Sequence, residues 1–419
     1  MTSYYAATAN PHTPLPTLQG DVTADVCVIG AGYTGLLSAL ELAEKGFSVV
    51  LLEARSVGWG ASGRNGGQIA TGYPPGMIET AKIVGPADAK KLWQLSGQAT
   101  AILRDRISRH NIACDLKAGE LYATVKPAHR DWLLAEKEFC EENYDFKDYR
   151  WIDERELPQI IAATRYHGAL LDLSGGHLHP LNYALGLASA ARDAGVSVFE
   201  KTRVFSVESG SRPRIQCEQG QVTAQYVILA GNAYLEGLNP ALAARIIPVS
   251  TYIMATEPLG AERARELMAT EACVSDTNYN LDYFRMSADN RLIYGGRDYA
   301  GRPKGDQKAL LRQHMLKTFP QLSDVKIDFI WDGKVAVTRN RLPDIGRIGA
   351  NIYYAHGFSG QGVPLSAIAG KITAEAIAGD AEKLDVFGRI PHKSFPGGTA
   401  FRVPLLSLAM FYYRLRDLL

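Results

Sequence analysis

At 419 residues the chain is longer than one hydrophobic core usually supports, so two domains are the starting expectation. Its 46% hydrophobic and 21% charged residues suit a globular protein, and a formal net charge of +1 argues against nucleic acid as the principal partner. Cys27, Cys114, Cys140, Cys217 and Cys273 are scattered without CxxC pairing, which argues against a disulfide framework or a metal centre and suits a reducing compartment.

Met1 to Gly20 lacks a basic start followed by an apolar core, and no run of eighteen apolar residues exists. A cytoplasmic protein with no membrane span is therefore expected. Residues 1–20, with Pro11, Pro14 and Pro16, read as an extended arm.

Val26 to Ile29 is an apolar run of the right length for a strand buried on both faces of a parallel sheet. Gly30-x-Gly32-x-x-Gly35 follows at once, with Tyr33 and Thr34 inside it, and Leu36 to Ala43 reads as a helix. Gly30 permits the tight turn, Gly32 lets backbone approach a pyrophosphate, and Gly35 lets the helix pack closely on the strand. Phosphates would sit at the helix N-terminus. Phe47 to Leu52 is a second buried strand, ended by Glu53 and Ala54. An acid at that spacing can accept both hydroxyls of a ribose. Gly58 to Gln68 then carries five glycines in eleven residues, including Gly60, Ala61, Ser62, Arg64, Asn65, Gly66 and Gly67. Such density reads as a cradle for a flat ligand, or otherwise as a flexible surface loop.

Residues 76–110 read as helical, Gly119 to Val125 as a strand and Arg130 to Glu142 as a helix. Ile160 to Leu173 leads into Ser174-Gly-Gly-His177-Leu-His179-Pro180, and a helix runs from Leu181 to Ala194. His177 and His179 read as caps of that helix. Strands are expected at 196–200, 203–208, 215–218 and 224–230, the last ending in Gly231. Residues 246–332 read as a separate block, with strands at 249–257, 282–287 and 291–295 and helices at 260–268 and 308–319. After a strand at 352–355, His356-Gly357-Phe358-Ser359-Gly360-Gln361-Gly362-Val363 opens a helix from Pro364 to Ile377. Leu405, Leu408, Tyr412, Leu415 and Leu419 near helical spacing form an amphipathic C-terminal helix. It would dock on its own domain, on the second subunit of a homodimer, or on a membrane surface.

Three segments together resemble the D-amino-acid-oxidase-type (DAO) family of FAD-dependent amine oxidoreductases: Gly30 to Glu53, Tyr226 to Ala233 including Ala230 and Gly231, and Asn351 to Gly362. Val204 matches the position whose backbone meets adenine in that family. Ser3 to Ala6, Gly60 to Gln68, Leu173 to Pro180, Ala288 to Gly296 and Phe395 to Gly398 resemble one branch of it, extending the likeness over nearly the whole chain. The implied fold is α/β, a discontinuous FAD-binding Rossmann-like domain (21–75, 165–240, 333–385). With it goes an antiparallel-sheet α+β substrate domain (76–164 and 241–332), and 386–419 is a tail.

The implied activity is oxidation of an amine by hydride transfer to the flavin, with oxygen or a respiratory carrier as acceptor. An N-methylated amine or an amino acid is the alternative substrate. A flavin-binding module without turnover and an NAD dehydrogenase are further alternatives. Arg64, His356 and Tyr283 are candidates for the catalytic region, while Arg285, Arg297 and Trp331 are candidates for binding substrate, an Arg fork suiting a carboxylate. Each has a plainer reading, as a turn cap, a surface ion pair or core packing. Sarcosine-oxidase-type relatives carry a lysine near the ring and a cysteine that binds flavin covalently. Neither occurs here in the corresponding stretches, 285–296 and 335–347, so FAD held noncovalently is expected.

Overall fold

A computed structural model describes residues 2–299 and 305–418. Two sheets organise the chain. Edge to edge, the first runs Asp344–Ile348, Ile352–His356, Gly220–Leu229, Gly20–Ile29, Val49–Leu52 and Ser197–Phe199. Arg214–Cys217 pairs with Gly220–Leu229 and carries Val204–Glu208 beyond it. The central pairings are parallel: Ile29 lies opposite both Leu229 and Leu52, and Leu229 opposite Tyr354. Val26, Cys27, Val28, Leu51, Val227 and Ile228 are buried, as strands covered on both faces require.

Helices Tyr33–Glu44 and Gly362–Ile377 cover one face of this sheet. The first comes so close that a β-carbon on Gly35 would stand 1.9 Å from the Gly30 carbonyl oxygen and 3.3 Å from Val28. Arg106, at 4% exposure, ties the helix end to Pro86–Arg109 through Glu41 and Glu44, each at 2.5 Å.

The second sheet runs Ile327–Thr338, Ile246–Thr256, Leu292–Tyr299, Tyr283–Met286, Cys273–Asp276, Lys117–Ala123, Gly168–His177 and Gln68–Ile69, with Tyr149–Asp153 beside Gly168–His177. Its register sorts residues by face. One row reads Ile330, Met254, Tyr294, Phe284, Val274 and Leu121, and this apolar face packs on Leu311, Met315 and Phe319 of and beyond the Gln307–Thr318 helix. The opposite face carries Trp331, Ile253, Gly295, Tyr283 and Ser275 in one row, and Phe329, Ala255, Ile293, Arg285, Cys273 and Glu120 in the next.

Several expectations are refined or corrected. The 76–110 stretch is helical as expected, divided into Met77–Val84 and Pro86–Arg109 because Gly85 turns to φ +83° and Pro86 starts a new first turn. Ser174 to His177 is the end of the Gly168–His177 strand. That strand and Gln68–Ile69 belong to the second sheet although they lie in 165–240 and 21–75, and Ile327–Thr338 runs past 333. Arg402–Leu418 is a helix that leaves Leu408 and Tyr412 exposed. Among the described residues no helix is long and apolar enough to cross a membrane.

Gly35→Ala should cost about 3 kcal/mol or more, since the intruding methyl meets backbone rather than a flexible side chain. Urea unfolding followed by circular dichroism measures it.

Candidate cofactor and active site

The parallel strands of the first sheet all end on one side, where three remote loops meet. They line a cleft with about 560 Å³ of empty space, including its open mouth. Its walls are Gly32, Tyr33, Thr34, Ala61, Ser62, Asn65, Ala230, Phe358, Ser359, Gly360, Gly362 and Val363, all named from sequence, together with Asn232, Val335, Ala336 and Ser366, which were not. Asn232 stands at φ +44° and accepts a hydrogen bond from the Gly357 amide at 3.0 Å, which ties the second loop to the third. Ser366 lies one turn inside the Gly362–Ile377 helix.

The cleft has the features a dinucleotide needs. Helices Tyr33–Glu44 and Gly362–Ile377 both begin at it without a side-chain cap, so their free amides and positive dipole ends face the space. The Ser62 hydroxyl accepts from the Tyr33 amide at 3.0 Å, a place where a phosphate oxygen could also be met. Gly360 has φ +105° with open space where a β-carbon would point, and the Gln361 side-chain oxygen is buried without a partner. These residues fit FAD.

Glu53 terminates its strand and turns back to the motif, accepting from the Ala31 amide at 2.9 Å and the Arg55 amide at 2.8 Å. Burial lifts its carboxyl above the ordinary value, opposed by these two amides. Thr202 donates its amide to the Glu53 carbonyl at 2.8 Å, which brings the segment entering Val204 alongside. Gly30, Gly35, Ala54, Gly60, Gly66, Gly67, Gln68, Gly231 and Gly357 belong to the same loops and shape the backbone rather than line the cleft. All five cysteines are buried away from its walls.

The substrate candidates separate. The Tyr283 ring lies across Gly295, where a β-carbon would come within 2.2 Å of it, and against Gly66 of the glycine-rich loop. Arg64 donates Nε to the Trp59 carbonyl at 2.9 Å and Nη1 to the Asp332 carbonyl at 3.1 Å, with Nη2 outside both bonds. Arg285 is not the expected fork. It is 5% exposed, and its donors go to the carbonyls of Gly66 (2.7 Å), Leu178 (3.0 Å) and Met286 (3.3 Å) and the Tyr5 hydroxyl (3.1 Å). Trp331 is core, its ring packed edge-on to Tyr5 and its Nε1–H donated to the Arg64 carbonyl at 2.9 Å. The side chain of Arg297 lies outside the described residues. His179 caps the Pro180–Asp193 helix by accepting from the Asn182 amide, as expected; His177 instead bonds the Glu271 carbonyl at 2.8 Å.

His356 is 1% exposed and bonds Asp344 at 2.9 Å, with Arg245 3.4 Å from the same carboxylate. It does not line the cleft, because its side chain leaves the strand on the side that Asp344 occupies. Burial raises the Asp344 carboxyl, but His356 and the charges of His392 and Arg245 outweigh that and hold it at about 2. A depressed carboxyl contributes stability above its unfolded value near 4, and that contribution is lost as pH falls toward 2. Asp344→Asn should therefore cost about 2 kcal/mol at pH 7 and flatten the acid limb between pH 4 and 2, read from urea midpoints across that range. Glu53→Gln should weaken FAD binding about tenfold or more, read by fluorescence titration of apoprotein.

The family model described as FAD dependent oxidoreductase (DAO) matches residues 25–376. Gamma-glutamylputrescine oxidoreductase of Escherichia coli (strain K12) is 45% identical over 417 residues, covering 99% of this chain and 98% of that protein. The probable oxidoreductase OrdL of Haemophilus influenzae is 40% identical, covering 99% and 97%. Among solved structures, glycine oxidase from Geobacillus kaustophilus superposes with a TM-score of 0.72 at 21% identity, over 85% of this chain and 95% of that one. L-proline dehydrogenase from P. horikoshii gives 0.73 at 20%, over 89% and 96%. The solved structures attest the fold; the family match and the two relatives, covered almost from end to end, attest more: the chain belongs to the FAD dependent oxidoreductase (DAO) family, an enzyme with FAD as its cofactor.

Proposed function

We propose that the protein oxidises the terminal amine of gamma-glutamylputrescine. With water and oxygen consumed, the products are gamma-glutamyl-gamma-aminobutyraldehyde, ammonia and hydrogen peroxide, a step of putrescine breakdown. The reading is carried by 45% identity over 99% of the chain to the Escherichia coli enzyme named for that substrate. Bound FAD supplies a two-electron acceptor for the hydride on the carbon that bears nitrogen. The residues of this chain supply position, dryness and charge.

In this reading Glu53 takes the ribose hydroxyls, and the amides of Tyr33 and Thr34 with the Ser62 hydroxyl take the phosphates. The start of Gly362–Ile377 would hold the carbonyl end of the ring, where its positive dipole end would stabilise developing negative charge without reorganisation. We hold the attachment to be noncovalent, a reading supported by described walls that carry no cysteine. Tyr283, whose ring lies against Gly66 and Gly295, makes one side of the amine site, and desolvation there favours the neutral amine that hydride loss requires. Arg64, with Nη2 uncommitted to its loop bonds, is the anchor proposed for the glutamyl carboxylate. We divide the chain into the two discontinuous domains of the sequence reading, with 68–69, 168–177 and 333–338 moved to the substrate side, and this division brings these groups together. We place the enzyme in the cytoplasm and assign the C-terminal helix to a homodimer contact.

Peroxide release over a panel of amines is the test. Gamma-glutamylputrescine should give kcat/KM at least a hundredfold above sarcosine, D-alanine and glycine, and putrescine itself should be poor for want of a carboxylate. A preference for sarcosine or a D-amino acid would end the substrate reading. Dye reduction without peroxide would make the protein a dehydrogenase.

A further inference from the structure

Arg285 is a buried cation whose four described hydrogen bonds all end on neutral oxygens. Its Tyr5 partner is fully buried, and burial lifts that phenol above its ordinary value, so it stays uncharged. His177 and His179 are neutral too, held at about 3 and about 4 by burial and then by Arg285 itself. Continuing the register of Val274 opposite Phe284 by one residue, the next acid on this face is Glu120, beyond Cys273 and two strand spacings or about 10 Å away. Burial pushes Glu120 up to about 8, leaving it mostly protonated at pH 7. Asp289, on the turn after the Tyr283–Met286 strand, is taken by Arg291 at 2.7 Å and by the Tyr4 hydroxyl at 2.7 Å. A buried charge without a counter-ion is costly, so one is expected to come from a ligand.

The charge sits behind the cofactor cleft. Arg285 Nε holds the Gly66 carbonyl, and the adjoining residue, Asn65, lines the cleft. We propose that Arg285 is a positioning residue and fixed counter-charge, anchored by Tyr5 from the N-terminal arm, which favours the negative charge gained by the flavin on reduction. This rests on FAD occupying the cleft. In a low-dielectric interior such a charge acts through the intervening peptide without touching the ring.

Flavin content of the purified wild type, read by absorbance, tests the occupancy separately. The proposal itself is tested by the midpoint potential of holoenzyme variants against a reference dye. Arg285→Gln should shift the reduced-to-oxidised ratio at fixed potential at least tenfold toward oxidised, about 30 mV for a two-electron couple. Arg285→Lys keeps the charge and should stay within threefold of wild type. Tyr5→Glu keeps the arginine but gives it a carboxylate, and should match Arg285→Gln. A flavin-replete Arg285→Gln or Tyr5→Glu protein with the wild-type midpoint overturns the proposal. So does an Arg285→Lys protein displaced as far as the glutamine variant, since geometry rather than charge would then be responsible.

Discussion

The parallel register of three strands is the constraint on which the molecule depends. Ile29, Leu229 and Tyr354 stand side by side although about two hundred and then more than a hundred residues separate them along the chain. Parallel strands end on the same side, so Gly30, Gly231 and Gly357 begin their loops from one line. Ligands in open α/β sheets gather at such carboxyl ends. The cleft follows from that alignment and needs no long-range contact between the loops to form. The Gly357 amide to Asn232 bond then closes two of them into one rim. Gly35 belongs to the same constraint, because the helix must lie close to the first strand for its N-terminal amides to stand at the rim.

The second sheet answers with a division between its faces. Phe284, Met254, Tyr294 and Leu121 make the side that helices cover, where shape and apolar area decide. The face toward the glycine-rich loop is built from Trp331, Tyr283, Ser275, Arg285 and Glu120, and each of these finds a specific partner. Ser275 donates to Glu120 at 2.9 Å and accepts from Gln68 at 2.7 Å, so the strand after the loop is pinned to the sheet by polar contacts. Polar networks of this kind cost little only when satisfied throughout, and they fix a loop more narrowly than apolar packing does. A loop that must lie against a flat ring gains from that narrowness.

Much of this could be read along the chain, and what could not has a common cause. The strand, Gly30-x-Gly32-x-x-Gly35 and Glu53 form a local pattern, and local patterns announce themselves. The alternation Tyr283-x-Arg285 likewise set both residues on one face. What Arg285 does there depends on Tyr5, Gly66 and Leu178, which lie 280, 219 and 107 residues away, and no periodicity encodes such partners. His356 sits in the right segment, yet its strand residue turns to Asp344 instead of the cleft, a matter of pleat and not of motif. Asn232 lay inside the 226–233 motif without a role of its own, and Ser366 was passed over as an ordinary polar residue inside a helix. The break at Gly85 is local too, a Gly-Pro pair at which one helix ends and the next begins.

A fixed cation beside the cleft serves two demands that otherwise conflict. An amine that is to lose hydride must enter neutral, while the ring that receives the electrons is better placed near positive charge. An anionic group brought in to stabilise a bound ammonium would defeat both. Arg285, with its charge unmatched, already depresses the imidazoles of His177 and His179 along with burial, and an ammonium arriving in the same region meets the same opposition. The direction of the field is therefore right for the incoming amine and for the reduced ring at once. A carboxylate general base in its place would give up that agreement, which is reason enough for the acid of the same row, Glu120, to lie two strands off and to be held in its neutral form.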